Sequence, residues 1–497
     1  MALTDSTSAN NLKQRTAGSL KWNIIDRLSQ QVLYAVTGIV LANLLSHDDF
    51  GLVGAVLVFQ AFAALLVDSG FSYALIQRKE PSHSDYSTVL WFNLAVAIVL
   101  YIILYAAAPL IADCFDGDQR LIPLSRVMFL SMILNASAIV QTNRLMKRMD
   151  VKMVAVSNAL GLVAGAVVGI YLAVAGYGAW AIVWQTVILA AVKSLTLWLT
   201  QRWWPEMRFS FTILRGFLSI GTKMMFTSFL NTVFLNIYSF LIGNRVGLTA
   251  LGYYTQSDKW SKMGIMSVSQ VITSTFLPTL SAVQDDAARF RSVAAKINRF
   301  TAYLVIPAFI FLAIMAEPIF HTLFGTKWDY SILLFQLLLV RGIFTVLTGL
   351  YNNILLAVGN AKIILRMEIL RDGLALALLL ATMPFINLTR DGNPVYGVGI
   401  MIYGQLLASF ITWVVTLIYT GRLSGLGVKQ LLLALAPYSA FTCAIAVPLM
   451  LLTNLPWHPA LILAAQVVVG AALYLAANRL TRSAIQSELL AHLLKKS

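Results

Sequence analysis

The sequence is short of cysteine, histidine and charged residues. Only 11% of its 497 residues are charged, two are cysteine and five are histidine. Cys114 stands in a short polar segment and Cys443 inside an apolar run, so a disulfide is not expected. The histidines are scattered, and the chain shows no metal-ligand cluster, nucleophile triad or phosphate-cradling glycine loop. These absences argue against a metal site and against an enzyme.

Hydrophobic residues, in contrast, make up 59% of the chain, a share typical of a polytopic membrane protein. They form fourteen segments, each long enough to cross a bilayer as a helix. The segments cover approximately residues 20–45, 50–75, 87–112, 120–142, 153–175, 178–200, 213–242, 250–280, 299–316, 331–357, 363–386, 396–420, 430–453 and 457–478. Helices satisfy their own backbone hydrogen bonds in lipid, so we expect an all-α fold with about 14 transmembrane helices.

The chain has a net charge of +15, and its basic residues are distributed as the predicted membrane topology requires. If the N-terminus is inside, 24 of the lysines and arginines fall in cytoplasmic loops and 4 fall in outer loops. Such a bias sets the orientation and places both termini in the cytoplasm. The basic residues do not form one long block, so nucleic-acid binding is not expected. Residues 1–20 lack the apolar core of a signal peptide, and we expect the first span to direct insertion.

Short matches at similar offsets indicate an internal duplication. Phe50-Gly51-Leu52 is followed 201 positions later by Leu251-Gly252-Tyr253, and Tyr177-Gly178 is followed 219 positions later by Tyr396-Gly397. Each half has six spans, an even number, so both halves enter the membrane from the same side. We therefore expect two parallel, pseudo-symmetric repeats around a polar cleft. The predicted parts are a cytoplasmic tail at 1–19, six-helix bundles at 20–212 and 213–429, and a further helix pair with a cytoplasmic tail at 430–497.

Charged residues inside the spans are the candidate functional groups, because an ion in the bilayer is costly unless it meets water or a partner. The candidate substrate-binding cations are Arg27, Lys223, Lys259, Lys262, Arg341 and Arg371. Asp26 and Asp68 are candidate ion-coupling carboxylates, with a salt-bridge or helix-cap role as the alternative.

Most of these groups also have a structural interpretation. Asp258 and Lys262 are four residues apart and can pair along one helix, while Arg371 and Asp372 can find partners on neighbouring helices. Lys193, near the end of its span, can extend to the membrane surface. A face of small residues that favours close helix packing over a binding site is formed by Gly161, Gly165 and Gly169.

Three stretches resemble the bacterial polysaccharide transporter family, the Wzx-type flippases, and within it the colanic-acid-exporter-like branch. They are Asp68 to Lys79, Ser87 to Asn93 and Gly176 to Ala181. The resemblance implies membership of the multidrug/oligosaccharidyl-lipid/polysaccharide superfamily, with two six-helix bundles around a central cavity. It further implies a multi-pass protein of the bacterial inner membrane that moves undecaprenyl-pyrophosphate-linked oligosaccharide repeat units from the inner to the outer leaflet.

The in-span cations suit such a substrate, because positive charge in a low-dielectric site can offset a pyrophosphate. A multidrug or organic-cation exporter of the same superfamily is the first alternative, although a cationic cleft argues against cationic cargo. A membrane glycan polymerase is the second, although the outer loops are short. We expect no cofactor, with coupling to a proton or sodium gradient left open. The expected partners are the lipid-linked substrate and the bilayer, with a polysaccharide polymerase and a chain-length regulator as further candidates.

Overall fold

The computed structural model describes the backbone of residues 2–68 and 70–488. The side chains it describes are those of residues 22–488 except residues 24, 69, 73, 219, 220, 223, 224 and 227. Within this part of the chain every regular element is a helix, and the one β-type contact is an isolated bridge between Arg390 and Asn393. The predicted all-α class is confirmed.

The chain divides into two compact units, Met1–Gly252 and Tyr253–Ser497, with the division inside one helix. The helices up to that division are α1 Ala2–Leu44, α2 His47–Asp68, α3 Phe71–Gln77, α4 His83–Asp113, α5 Leu121–Met128, α6 Leu130–Lys147, α7 Val151–Val174, α8 Trp180–Gln201, α9 Phe211–Arg245 and α10 Leu248–Ser281. The helices that follow are α11 Ala287–Ile314, α12 Ala316–Leu323, α13 Asp329–Ala357, α14 Ala361–Thr382, α15 Tyr396–Leu423, α16 Val428–Thr453 and α17 Pro459–Leu480. The bounds of the predicted six-helix bundles stay a prediction.

All fourteen predicted segments lie on helices, and in the described chain eleven helical segments are long and apolar enough to cross a membrane. The predicted segments outside these eleven lie on α1, α9 and α14. These three helices hold the candidate cations Arg27, Lys223 and Arg371. The protein is a multi-pass membrane protein.

The first unit contains a tight pair of helices, α7 and α8. A Cβ added at Gly161 would lie 2.7 Å from the carbonyl oxygen of Leu189, and one at Gly165 would lie 2.7 Å from that of Gln185. A Cβ at Gly169 would meet the Gln185 side chain at 2.9 Å. The predicted role of these three glycines in close packing is therefore confirmed.

A second close approach joins α2 to the first turn of α10, still inside the first unit. A Cβ on Gly51 would stand 1.9 Å from the Leu248 carbonyl oxygen, and a Cβ on Gly252 would stand 1.9 Å from that of His47. Thr249 also donates a hydrogen bond to Asp48. The 201-residue offset found in the sequence relates Gly51 to Gly252 and His47 to Leu248, so the two glycine contacts are equivalent. Reciprocal contacts between equivalent residues are what a local two-fold relation produces, as at an isologous interface.

The second unit is built on a large apolar core in which α11, α13 and α16 meet. Leu350, Tyr351 and Val305 are completely buried there. The C-terminal pair α16 and α17 shares this core, and the Tyr474 hydroxyl donates to the Tyr303 carbonyl oxygen at 2.7 Å. The last two helices are therefore an integral part of the second unit.

Candidate functional site

Asp26 connects α1 to α7 inside the first unit. Its side chain is 8% exposed. It accepts a hydrogen bond from Gln30 Nε2 at 2.7 Å and a weaker one from Asn158 Nδ2 at 3.3 Å. Amide donors can hold a carboxylate without cancelling its charge, so this site keeps a negative group next to two neutral partners.

Arg27 is exposed, in contrast to its buried neighbour. Successive residues of a helix point about 100° apart, so the two opposite charges leave α1 in different directions. Among the residues that the structure describes, no carboxylate lies within 4 Å of its guanidinium. Arg27 is therefore available to an anion that comes from outside the chain.

Asp68 begins a chain of polar contacts at the end of α2. Its carboxylate accepts a hydrogen bond from the Ser72 hydroxyl on α3. The same hydroxyl accepts a hydrogen bond from Asn143 Nδ2 on α6 at 2.9 Å. The chain connects three helices and ends at a cavity.

That cavity has a volume of about 200 Å³. It lies inside the first unit, and its lining consists of Ser72, Asn135, Ala138, Ile139, Thr142, Asn143 and Lys193. Lys193 thus lines this cavity together with residues of α3 and α6. The expectation that its side chain extends to the membrane surface stays a prediction. Of the α6 lining residues at helical spacing, Asn135 and Thr142 are polar, whereas Ala138 and Ile139 are apolar. Asn135 and Thr142, two turns apart in a largely apolar span, were the signal that sequence reasoning missed.

Lys223 lies on α9, and its side chain is outside the described residues. Its predicted contact with substrate stays a prediction.

In the second unit, the neighbouring cations Lys259 and Lys262 have different partners. The Lys262 ammonium pairs with the Asp258 carboxylate at 2.6 Å, as the spacing of four predicted. The Lys259 ammonium lies over the ring of Trp260, 5.3 Å from its centroid, and the side chain is exposed. A cation–π contact leaves the positive charge in place for an additional anion.

Arg341 and Arg371 also have different surroundings. Arg341 donates to the neutral Gln405 Oε1 at 2.7 Å, while its buried Nε–H has no partner in the described part of the chain. Arg371 pairs with Glu368 at 2.6 Å and with Asp372 at 2.9 Å. Both partners lie on α14 itself and not, as expected from the sequence, on a neighbouring helix.

Comparison with known proteins places these features in a family context. The chain is similar to the succinoglycan biosynthesis transport protein ExoT of Rhizobium meliloti (strain 1021), at 26% identity over 325 residues. That match covers 65% of this chain and 66% of the relative, about two thirds of its length. It is also similar to the teichuronic acid biosynthesis protein TuaB of Bacillus subtilis (strain 168), at 24% identity over 71% of this chain and 73% of the relative.

Solved structures show the same fold. A lipid II flippase, MurJ, in an inward closed conformation matches with a TM-score of 0.68 and 15% identity, over 93% of this chain and 98% of its own. An inward-facing multidrug resistance transporter of the MATE family matches with a TM-score of 0.59 and 16% identity, over 80% of this chain and 96% of its own. Both matches are below 25% identity, so they show a shared fold.

The sequence match to a protein family is more specific than either structure. A family model described as polysaccharide biosynthesis protein matches residues 40–333, more than half of the chain. This span runs from α1 into α13. It includes Gly51 and Gly252, the glycines at which α2 and the first turn of α10 approach closely. The chain belongs to this polysaccharide biosynthesis protein family.

Proposed function

We propose that the protein is a transporter, not an enzyme, which flips undecaprenyl-pyrophosphate-linked oligosaccharide repeat units across the bacterial inner membrane by alternating access. The observation that carries the proposal is the presence of in-span basic residues without carboxylate partners, in a member of a polysaccharide biosynthesis family. The repeat units are precursors of lipopolysaccharide O-antigen, capsule or exopolysaccharide. The fold shared with a lipid II flippase supports the same class of cargo.

The physics of the cargo explains why such residues are needed. Each sugar hydroxyl that enters lipid without a partner costs about 2–7 kcal/mol, and a pyrophosphate costs far more. A flippase must therefore supply polar and cationic groups along the path of the head while the isoprenoid tail stays in lipid. The membrane potential assists, since outward movement of one negative charge gains about 2.3 kcal/mol per 100 mV.

Three of the predicted cations fit this role after their surroundings are considered. Arg27 and Lys259 have no carboxylate within 4 Å among the described residues, and Arg341 is held by an amide. Lys262 and Arg371 are paired with carboxylates of their own helices, so we leave them out of the proposed set. The proposed substrate-binding set is therefore Arg27, Lys259 and Arg341, with Lys223 as a further sequence candidate.

The proposal also includes the membrane location, the orientation, the partners and the ion coupling of the protein. We place both termini in the cytoplasm and the protein in the inner membrane, with a polysaccharide polymerase and a chain-length regulator as downstream partners. Coupling to a proton or sodium gradient through Asp26 or Asp68 completes the proposed cycle.

The test is complementation of a strain that lacks the gene, with surface polysaccharide as the measured product. Loss of a charge-assisted hydrogen bond costs about 1.5–3 kcal/mol, so R27Q, K259Q and R341Q should each lower export about tenfold or more. The matched control is the double variant D258N/K262Q, which removes an in-span cation together with its partner and should export normally. Membrane insertion is checked by immunoblot for every variant.

Normal export by the triple variant R27Q/K259Q/R341Q would contradict the cationic path. The MATE-like fold leaves a multidrug exporter as the second candidate. That candidate predicts normal polysaccharide in the deletion strain and increased sensitivity to cationic drugs.

A further inference from the structure

Lys193 is the single charged residue of α8. The Cβ of Lys193 packs directly on α7, where a Cβ added to Gly161 would lie 3.2 Å from it. Its side chain lines the 200 Å³ cavity described above. Within the described residues its ammonium has no hydrogen bond and no carboxylate within 4 Å. An in-span cation without direct partners requires an explanation, since such a group is costly in lipid.

Two carboxylates belong to the surroundings of this cation. Asp26, on α1, accepts a hydrogen bond from Asn158, which lies about one turn before Gly161 on α7, the glycine that faces the Lys193 Cβ. Asp68 is hydrogen-bonded to Ser72, which belongs to the cavity lining. Asp68 is therefore connected to the cavity through Ser72, and Asp26 is connected through α7 to the helix that carries Lys193.

Several other charged side chains of the first unit have partners elsewhere. Arg126 donates a hydrogen bond to the Tyr105 carbonyl oxygen, and Arg144 donates one to the Gln201 side chain. Lys147 donates to backbone carbonyl oxygens on α3 and at Arg78. The Lys152 ammonium lies over the ring of Trp22. Arg27 is exposed on α1. None of these five belongs to the lining of the cavity.

Without Lys193 the cavity would have the chemistry of a cation site. Ser72, Asn135, Thr142 and Asn143 provide side-chain oxygens, and two carboxylates lie nearby. Hard cations prefer such oxygen ligands. A volume of 200 Å³ also has room for an ion and several waters, since a water occupies about 30 Å³ in the liquid.

We propose that the Lys193 ammonium is a built-in cation which takes the place of a free sodium ion at this cavity, near the carboxylates of Asp26 and Asp68. The first unit then binds no sodium in this cavity, and sodium coupling through it is not expected. This inference rests on the proposed transport function for its meaning in the cycle. Its test measures ion binding instead of export, so the two can fail separately.

The experiment compares thermal unfolding of the purified full chain in sodium chloride and in choline chloride of equal ionic strength. The wild type and the charge-conserving variant K193R should unfold at the same temperature in both salts. K193A vacates the cation position, so its unfolding temperature should rise with the logarithm of the sodium concentration. The double variant D26N/K193A should lose this rise, because one carboxylate has gone.

Sodium-dependent stabilisation of the wild type that disappears in D26N would overturn the proposal, as would a K193A variant indifferent to sodium. If K193A is folded in sodium chloride and unfolded in choline chloride, the built-in cation is supported. If neither salt yields folded K193A, the proposal fails, because filling the site should restore the fold.

Discussion

Asp85 has a carboxylate that is almost fully buried, with 1% of the residue exposed, at the start of α4. It accepts a hydrogen bond from the Ser82 backbone N–H at 2.8 Å, while the Ser82 hydroxyl accepts one from the Asp85 N–H. Arg78 donates to the second carboxylate oxygen at 2.9 Å. This reciprocal capping box and its arginine lie in and next to the stretch that resembles the transporter family, and they fix the entry of the chain into the membrane.

We expect D85A to lower the free energy of unfolding by about 2–4 kcal/mol, because a cap worth about 1 kcal/mol and a charge-assisted hydrogen bond are both lost. S82A removes one half of the cap and should cost about 1 kcal/mol. Thermal unfolding of the detergent-solubilised protein measures both. K79A, an exposed neighbour, is the control. Equal unfolding temperatures for D85A and the wild type would show that the cap does not stabilise this entry point.

The partners of the in-span charges differ in how far the sequence could predict them. The Asp258–Lys262 pair follows from a spacing of four on one helix. The Arg341 contact with Gln405 joins residues 64 positions apart, and no helical rule connects α13 to α15. The surroundings of Lys193 include Gly161 of α7 and the cavity-lining residues of α6, which only the packed unit brings together. Contacts within one helix can be predicted from residue spacing, whereas contacts between helices depend on how the helices pack.

At the scale of whole elements, hydrophobic length predicted nearly all helices, because a span must satisfy its own backbone hydrogen bonds. It did not predict the breaks, such as the one between α5 and α6 inside the fourth segment, where Phe129 separates the two helices. Nor did it separate α11 from the short α12 that follows Met315. These breaks leave the apolar composition unchanged, so a hydropathy pattern has no signal for them.

The crossing of α2 with α10 gives a prediction for these elements. We expect G252A to prevent stable folding, because its Cβ would meet the His47 carbonyl oxygen at 1.9 Å and the two helix backbones would have to separate. Overpacking costs about 1–3 kcal/mol where side chains can adjust, and a backbone contact adjusts less easily. The yield of monodisperse protein and its unfolding temperature measure the effect.

A matched control lies on the same helix. A Cβ at Gly264 meets nothing within 4 Å, so G264A should be neutral or slightly stabilising, as alanine in a helix usually is relative to glycine. The repeat offset adds a second comparison, since G51A should behave as G252A does because its Cβ would meet Leu248. If G51A and G252A fold as well as G264A, the close approach of the two helices is wrong.

At the scale of the whole molecule, the charge of the loops determines which side of the membrane each loop occupies. Lysine and arginine in short loops resist translocation, and the 24 to 4 distribution is a strong bias of this kind. The orientation therefore depends on many residues of small individual weight. A single substitution should not reverse it, and this makes it suitable for a test with introduced cysteines.

We expect a cysteine at Gln119 to react with a membrane-impermeant maleimide in intact bacteria, and one at Lys79 to react only after lysis. Gln119 is exposed in the loop between α4 and α5, and Lys79 is exposed between α3 and α4, so access to reagent differs only by the side of the membrane. The background is C114S/C443S, which removes both native thiols. One apolar helix, α4, separates the two positions, so their opposite behaviour fixes the direction of α4 and, by the alternation of spans, of every span that adjoins it. If Lys79→Cys were labelled in intact cells, the predicted orientation would be wrong, and the basic loops would lie outside, against the charge bias of the entire sequence.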